Sequence, residues 1–276
     1  MIKRILVPTD GSAASSSGAA YAVGLAQQYV ARLHGLHVID VRLLEGPFLR
    51  DISSSLGVEP YGNYLTGIGD ILRERGKAVL AAFHDLCADA NVEADSSLDS
   101  GLIAHCIVER SELSDLIVMG RSGEHSGFLA GLLGSTAQAV IRRAHCPVLV
   151  TGRAEAGLRR FLVAYDGSVH AKKALQMAAA LAETWGVPFD VLVVGETGIE
   201  GRFSEARSYL EAHEVEAEYI SRTGDPSESI VAVAAEHAAD LVVMGAYGHT
   251  KVRELVVGST TDYAIHHAPC PVLLTR

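Results

Sequence analysis

The residues best suited to chemistry in this 276-residue chain are glycines that precede a Ser-Thr pair. In the second half, Gly245 and Gly248 follow the apolar run 241–244, and nine residues separate Gly248 from the sequence Gly-Ser-Thr at 258–260. Glycine lets a ligand approach the backbone closely, and the free N–H groups at a helix start attract phosphate. The spacing therefore predicts a phosphate-binding loop, to which the two hydroxyls of the Ser-Thr pair add donors.

The first half carries a copy of this pattern with a longer loop. Gly120 and Gly123 are followed by Gly-Ser-Thr at 134–136, and ten residues separate the second and third glycines instead of nine. One of the ten is Glu124, whose charge repels phosphate unless a metal ion intervenes. We therefore expect the second half to hold the better site and the first half to be weaker or empty.

Each of these residues also has a purely structural interpretation. A glycine often only ends a strand, and a Ser or Thr at a helix start often caps the helix. Asp10 and Asp166 each begin an Asp-Gly-Ser sequence, where the carboxylate either caps the turn or accepts a hydrogen bond from an amino group of a ligand. Recurrence of the whole pattern in both halves favours the ligand interpretation.

Short apolar segments alternate with helical segments in both halves, which predicts parallel sheets covered by helices on both faces. The predicted strands are 5–9, 36–41, 92–98, 116–120, 147–151, 161–165, 191–194, 217–221, 241–245 and 271–275, and helices are expected near 169–185, 202–213, 227–238 and 259–267. The expected fold class is α/β, with two tandem doubly wound domains that each contain a five-stranded parallel sheet.

The two copies do not have the same length. They are offset by 156 residues at their first strands and by 125 residues at the Leu-x-Val-Met-Gly strands, a difference of 31 residues. The Gly- and aromatic-rich stretch at about 46–69 indicates where most of these residues lie, and we interpret it as a loop or lid packed on its own domain and not as a partner surface. We expect domains at 1–152 and 158–276, kept close together by a short polar hinge.

Composition excludes several classes of protein. The net charge is −10 with the 23 Lys and Arg scattered, which argues against a nucleic-acid partner, and no apolar run is long enough to span a membrane. The N-terminus has no cleavable signal pattern, which indicates a cytoplasmic protein. The four cysteines lack Cys-x-x-Cys spacing, and no third ligand accompanies His266 and His267, so we predict no disulfide and no metal site.

At these motifs the chain resembles the universal stress protein family, and in particular its tandem two-domain members. The second half has the family pattern Gly-x2-Gly-x9-Gly-[Ser/Thr], flanked by TGDPSESI at 223–230 and HHAPCPVLLT at 266–275. The resemblance implies a Rossmann-like, adenine nucleotide alpha hydrolase-like fold and ATP as the ligand, with or without Mg²⁺. The nucleotide-binding residues that it implies are Ala164, Asp166, Val194, Gly245, Gly248, His249, Gly258, Ser259 and Thr260, with Pro8, Asp10, Val38, Gly120, Gly123, Gly134, Ser135 and Thr136 at the matching positions of the first half.

Three functions remain open. The leading one is a nucleotide-binding regulatory protein of the stress response, since no catalytic set accompanies the predicted phosphate site. The second is an enzyme of slow ATP hydrolysis or adenylyl transfer, in which Asp166 or His249 activates water. The third is a nucleotide-free scaffold. The family's last strands commonly pair, so 147–151 and 271–275 are expected to join the halves, which leaves room for two chains to form a homodimer.

Overall fold

The computed structural model contains a ten-stranded sheet with helices on both faces, and it describes residues 2–42, 61–123, 133–152, 159–246 and 258–276, with the side chains of 61–66 excepted. The strands are β1 (Arg4–Pro8), β2 (Arg32–Asp40), β3 (Ala94–Gly101), β4 (Leu116–Gly120), β5 (Val148–Thr151), β6 (Phe161–Ala164), β7 (Phe189–Val194), β8 (Ala217–Arg222), β9 (Leu241–Gly245) and β10 (Val272–Thr275). The helices are α1 (Ala13–Tyr29), α2 (Tyr61–Asp89), α3 (Ile103–Ser111), α4 (Ser135–Arg143), α5 (Val169–Trp185), α6 (Ile199–Ala212), α7 (Pro226–Glu236) and α8 (Ser259–His267).

The order of the strands is β3-β2-β1-β4-β5-β10-β9-β6-β7-β8. All neighbours within each half are parallel, and the chain reverses direction across the sheet at β1 and again at β6. This arrangement confirms the predicted doubly wound α/β fold. A crevice opens beyond the carboxyl ends of the strands at such a reversal, which is where ligands bind in sheets of this kind.

Strands β5 and β10 join the two halves. They pair antiparallel, with Val150 opposite Val272 and Leu149 opposite Leu273, as expected for the last strands of the two copies. One hydrophobic cluster on each face of the sheet contains residues from both halves. The two halves therefore share their cores, although the connection between β5 and β6 is where the sequence places the domain boundary.

The strands are buried on both faces because their side chains alternate between these two clusters. In β1, for example, Ile5 and Val7 belong to one cluster and Leu6 belongs to the other, and all three are fully buried. In the second half the rings of Phe161 and Phe189 stack with centroids 4.9 Å apart on neighbouring strands. Continuous apolar runs are what a central parallel strand requires.

The expectation of a loop or lid over 46–69 was wrong for its last part. Helix α2 begins at Tyr61, so residues 61–69 are helical, whereas 46–60 lie outside the described residues. Glycines lower the helix propensity of this stretch, but a helix that already packs on the sheet extends at low cost. That packing is close, because a Cβ on Gly35 would lie 2.6 Å from the Phe83 ring.

None of the described helices combines the length and the apolar composition needed to cross a membrane.

Candidate functional site

A cavity of about 670 Å³ opens in the first half at the carboxyl ends of β1, β2 and β4. Its volume falls within the roughly 300–1,000 Å³ typical of small-molecule pockets. All eight residues that the sequence assigned to a ligand site in this half line it, namely Pro8, Asp10, Val38, Gly120, Gly123, Gly134, Ser135 and Thr136. Segments that are far apart in the chain therefore meet at one crevice, and the ligand role of these residues stays a prediction.

The start of α4 forms one wall of this cavity. Gly134 precedes the helix, no side chain caps it, and its first backbone bond runs from the N–H of Gln138 to the Gly134 carbonyl oxygen, 3.0 Å away. The N–H groups of 135–137 come before that bond, so they have no partner within the helix. They and the positive end of the helix dipole suit an anion.

The start of α8 has the same form in the second half. Gly258 is the residue before the helix, and the N–H of Asp262 donates to its carbonyl oxygen at 2.8 Å without any side-chain cap. The alternative that Ser259 or Thr260 caps this helix was therefore wrong. Both residues lie inside the first turn instead, where their hydroxyls are not used as caps.

Two of the glycines are required by packing alone. A Cβ on Gly120 would lie 2.6 Å from the backbone carbonyl of Ala14 in α1, and a Cβ on Gly245 would lie 2.8 Å from the Cβ of His170 in α5. The interpretation of these glycines as structural strand ends is sufficient, because α1 and α5 cross the ends of β4 and β9 with no room for a side chain.

Packing does not explain the glycines before α4 and α8. A Cβ on Gly134 or Gly258 would meet its nearest described atom at 3.5 or 3.7 Å, which is ordinary contact. Their φ angles are both −57°, which any residue adopts. Contacts with the described residues therefore do not require glycine at these two positions, and their ligand role stays a prediction.

Both aspartates of the Asp-Gly-Ser sequences hold their turns. Oδ1 of Asp10 accepts a hydrogen bond from the N–H of Ser12, and Oδ1 of Asp166 accepts one from Ser168, each at 2.9 Å. In the first half the second oxygen faces the glycine loop, since a Cβ on Gly123 would lie 2.8 Å from Oδ2 of Asp10. The turn-capping interpretation is confirmed, and it occupies one oxygen of each carboxylate.

The second half places its predicted residues at the equivalent ends of its elements. Ala164 ends β6, Val194 ends β7, Gly245 ends β9, and 258–260 begin α8, with Asp166 two residues beyond β6. Gly248 and His249 lie outside the described residues, as does Glu124 in the first half. The prediction that the shorter loop makes the better site therefore stays a prediction.

Sequence reasoning missed Thr261, which ties α8 to the end of β9. Its hydroxyl is buried and donates to the carbonyl oxygen of Ala246 at 3.1 Å. The first half has Ala137 at this position, so the repeat comparison offered no second hydroxyl to signal the role. Thr261 orients the predicted phosphate-binding helix of the second half.

The cysteines before β5 and β10 have protonated thiols at neutral pH. Burial raises the pKa of Cys146 to about 11 and that of Cys270 to about 12. A thiol that stays protonated is a poor nucleophile and a poor metal ligand. These values favour a structural role for both cysteines.

One group of the described residues has the spacing of metal ligands. Asp190, Glu218 and His237 bring ligand atoms within 4.8 Å of one another at the amino ends of the strands. Arg160 donates to Asp190 through Nε at 3.0 Å and to Glu218 through Nη2 at 2.6 Å. The guanidinium therefore pairs with both carboxylates, and His237 also contacts Asp190 at 3.0 Å, so the cluster is explained as an ion-pair network around the buried Asp190.

Comparison with known proteins covers the whole chain. The Universal stress protein family matches residues 1–62, 75–152, 157–220 and 198–276. A universal stress protein of Synechocystis sp. is 29% identical over 287 residues that span 100% of both proteins. One from Methanocaldococcus jannaschii is 35% identical over 152 residues, which cover 54% of this chain and 82% of that protein.

Solved structures share the fold of this chain. The crystal structure of a universal stress protein from Archaeoglobus fulgidus superposes with a TM-score of 0.76 at 23% identity, over 99% of this chain and 96% of that one. A putative universal stress protein from Pseudomonas aeruginosa superposes with a TM-score of 0.63 at 17% identity, over 99% and 93%. The family match to both halves, the ten-stranded sheet and the repeated glycine loops agree: this chain belongs to the universal stress protein family and carries its domain in tandem.

Proposed function

We propose that this protein binds an adenine nucleotide, with ATP as the physiological ligand, and that occupancy regulates its contact with a partner in a stress response. The observation that carries the proposal is the convergence of all eight predicted first-half residues on one cavity, beside a helix start that no side chain caps. The second half repeats that helix start at Gly258. An uncapped helix start behind a glycine is a favourable place for phosphate.

The other groups of the crevice suit the nucleoside. Val38 and Val194 are partly buried residues near the ends of β2 and β7, where an apolar side chain can pack against the base. The aspartate that follows the first strand of each half holds its turn through Oδ1 at the mouth of the crevice, and a carboxylate is a suitable acceptor for the adenine amino group. Ribose then spans the strand ends between base and phosphates.

The second half is our preferred ATP site. Its nine-residue loop has the length of the family's nucleotide pattern, whereas the first half has ten residues and the acidic Glu124. We propose that the protein binds ATP and does not hydrolyse it. Asp166 uses one oxygen to hold its turn, and on the base side of the crevice it would lie far from an attacking water. We place the protein in the cytoplasm and expect the nucleotide to bind with or without Mg²⁺.

Native mass spectrometry and isothermal titration with ATP test the proposal. We expect carried or added ATP to bind, with the tighter site lost in Gly258→Val and retained in Gly134→Val. Absence of binding at millimolar ATP, with and without Mg²⁺, would overturn the proposal and leave the scaffold function. Rapid turnover that Asp166→Ala abolishes while ATP still binds would instead identify an enzyme. The same spectra report whether two chains associate.

A further inference from the structure

The cavity of the first half continues past Asp10 onto the other side of the sheet. The residues of this extension, here named the side pocket, are Thr9, Ser15, His37, Ile39, Leu72 and Arg75. They come from the ends of β1 and β2, the first turn of α1 and the middle of α2. Helix α2 approaches β2 closely here, since a Cβ on Gly76 would lie 2.8 Å from the His37 ring.

His37 presents an acceptor to the side pocket. It is only 9% exposed, and its Nδ1 lies 2.8 Å from the carbonyl oxygen of Thr9. A carbonyl oxygen only accepts, so Nδ1 carries the hydrogen and Nε2 of the neutral ring is an acceptor. Nε2 has no hydrogen-bond partner among the described residues. His37 lines the cavity, so a ligand there can donate a hydrogen bond to this acceptor.

The hydroxyl groups beside His37 can also accept a hydrogen bond from a ligand, because their own hydrogens are already used. The Thr9 hydroxyl donates to Oγ of Ser15 at 3.3 Å, and the Ser15 hydroxyl donates to the carbonyl oxygen of Ser12 at 3.0 Å. Their hydrogens are therefore engaged, while Oγ1 of Thr9 keeps lone pairs that can accept. Arg75 contributes a guanidinium to the pocket lining, whereas Arg42 in the same cavity is ion-paired with Asp40.

The second half closes the same space. Thr9, Ser15 and His37 correspond, at the offset of 156 residues, to Tyr165, Ala171 and Val193, which are 3%, 2% and 0% exposed. The Tyr165 hydroxyl donates to Oε2 of Glu205 in α6 at 2.6 Å. Tyr165 is larger than Thr9, and Ala171 and Val193 are apolar, so the second half has neither the room beside the strand end nor the polar groups of the side pocket.

We propose that the side pocket binds a hydroxylated, phosphorylated group of the sugar phosphate class. Its hydroxyls donate to Nε2 of His37 and Oγ1 of Thr9, and its phosphate pairs with Arg75. The group is either part of a nucleotide held in the same crevice, in which case the inference rests on the proposed function, or a separate sugar phosphate. The two halves then differ in ligand, and only the first accepts the larger one.

Titration calorimetry with three probes tests this proposal: ADP, ADP-ribose and ribose 5-phosphate. One or two new hydrogen bonds, one of them to a charged group, predict about tenfold tighter binding of ADP-ribose than of ADP at the first half. That result identifies the group as part of a nucleotide. Binding of ribose 5-phosphate that persists at saturating ADP identifies it as a separate molecule.

Two variants assign the effect to the side pocket. Thr9→Tyr introduces the residue of the second half and fills the pocket, and His37→Val removes the acceptor without adding bulk. We expect each to abolish the advantage of ADP-ribose and the binding of ribose 5-phosphate while ADP affinity stays within about twofold, the size of a small surface effect. Thr184→Tyr, on the exposed face of α5, is the matched control and should behave as wild type.

The outcomes separate this inference from the proposed function. If ADP binds but neither ADP-ribose nor ribose 5-phosphate loses affinity in Thr9→Tyr or His37→Val, the side pocket is not a binding site. If ribose 5-phosphate binds and both variants abolish it while ADP and ATP fail to bind, the side pocket stands and the nucleotide function falls. Circular dichroism of both variants identifies any that fails to fold, and the other then decides.

Discussion

Nη1 of Arg121 donates a hydrogen bond to the carbonyl oxygen of His266, 2.8 Å away, across the junction of the two halves. Arg121 directly follows β4 at the first-half crevice, and His266 lies in the last turn of α8. Arg276 makes the reciprocal contact with the carbonyl oxygen of Arg142 in α4, and Arg142 and His266 are equivalent positions 124 residues apart. Each arginine thus places a positive charge at the C-terminal end of the other half's last helix, where the helix dipole favours it.

Loss of the Arg121 contact should destabilise the protein. Arg121→Met leaves the His266 carbonyl oxygen without this donor, and we expect the free energy of unfolding to fall by about 1–3 kcal/mol. Urea unfolding followed by circular dichroism measures the change. Arg159→Met is the control, because the Arg159 side chain is 87% exposed in its pair with Asp240. Equal effects of the two substitutions would show that the junction contact adds no stability.

Two glycines of the second half should respond differently to the same substitution. Gly245→Ala forces a Cβ against His170 and should cost about 1–3 kcal/mol of stability, as overpacking does. Gly258→Ala meets only ordinary contacts and should leave stability within about 0.5 kcal/mol. If a nucleotide approaches Gly258, ATP affinity falls in this variant although it unfolds like wild type. Thermal melts and ATP titrations of both variants supply the comparison.

The buried Arg160–Asp190 pair should matter far more than an exposed pair. Asp190 is 0% exposed, so Arg160→Met leaves its buried carboxylate with only the His237 ring at 3.0 Å and should cost about 3–5 kcal/mol. Arg32→Met, in the pair between Arg32 and Glu93 whose side chains are 51% and 70% exposed, should cost about 0–1 kcal/mol. Urea midpoints of the two variants at neutral pH test this ranking, which a reversed order would contradict.

Stability should fall at alkaline pH through Cys270. Burial raises its pKa from 9.0 to about 12, so the native state keeps the thiol protonated after the unfolded chain has lost its proton. The contribution is fully present below pH 9 and disappears as the pH approaches 12. At pH 10.5 it should have fallen by about 2 kcal/mol.

Cys270→Ala removes this titration. Urea unfolding at pH 7.5, 9 and 10.5 should show a smaller alkaline loss in the variant than in wild type. Tyr165, whose pKa burial also raises, contributes equally to both proteins, whereas the variant also removes the part of the raised pKa of Tyr21 that the Cys270 charge causes. Parallel pH profiles would mean that Cys270 does not govern the alkaline loss.

Local patterns in the chain were enough to predict most of the elements. The run LVVMG at 241–245 is β9 and the segment 259–267 is α8, because an apolar run bounded by glycines and a helical repeat are both encoded within a few residues. The repeat also predicted which residues of the first half line the crevice. Helix α2 was only partly predicted, since its glycine-rich start is helical through continuity with a segment packed on the sheet.

From the sequence alone, therefore, come the two parallel sheets, their order along the chain and the glycine loops at the strand ends. The tertiary structure was needed to show that β5 and β10 merge these sheets and that the space beside β2 is open in one half and filled in the other. The physical reason is that the room around Thr9 or Tyr165 depends on side chains from α2 or α6, which lie far away in the chain. No local pattern encodes which of these neighbours meets the strand.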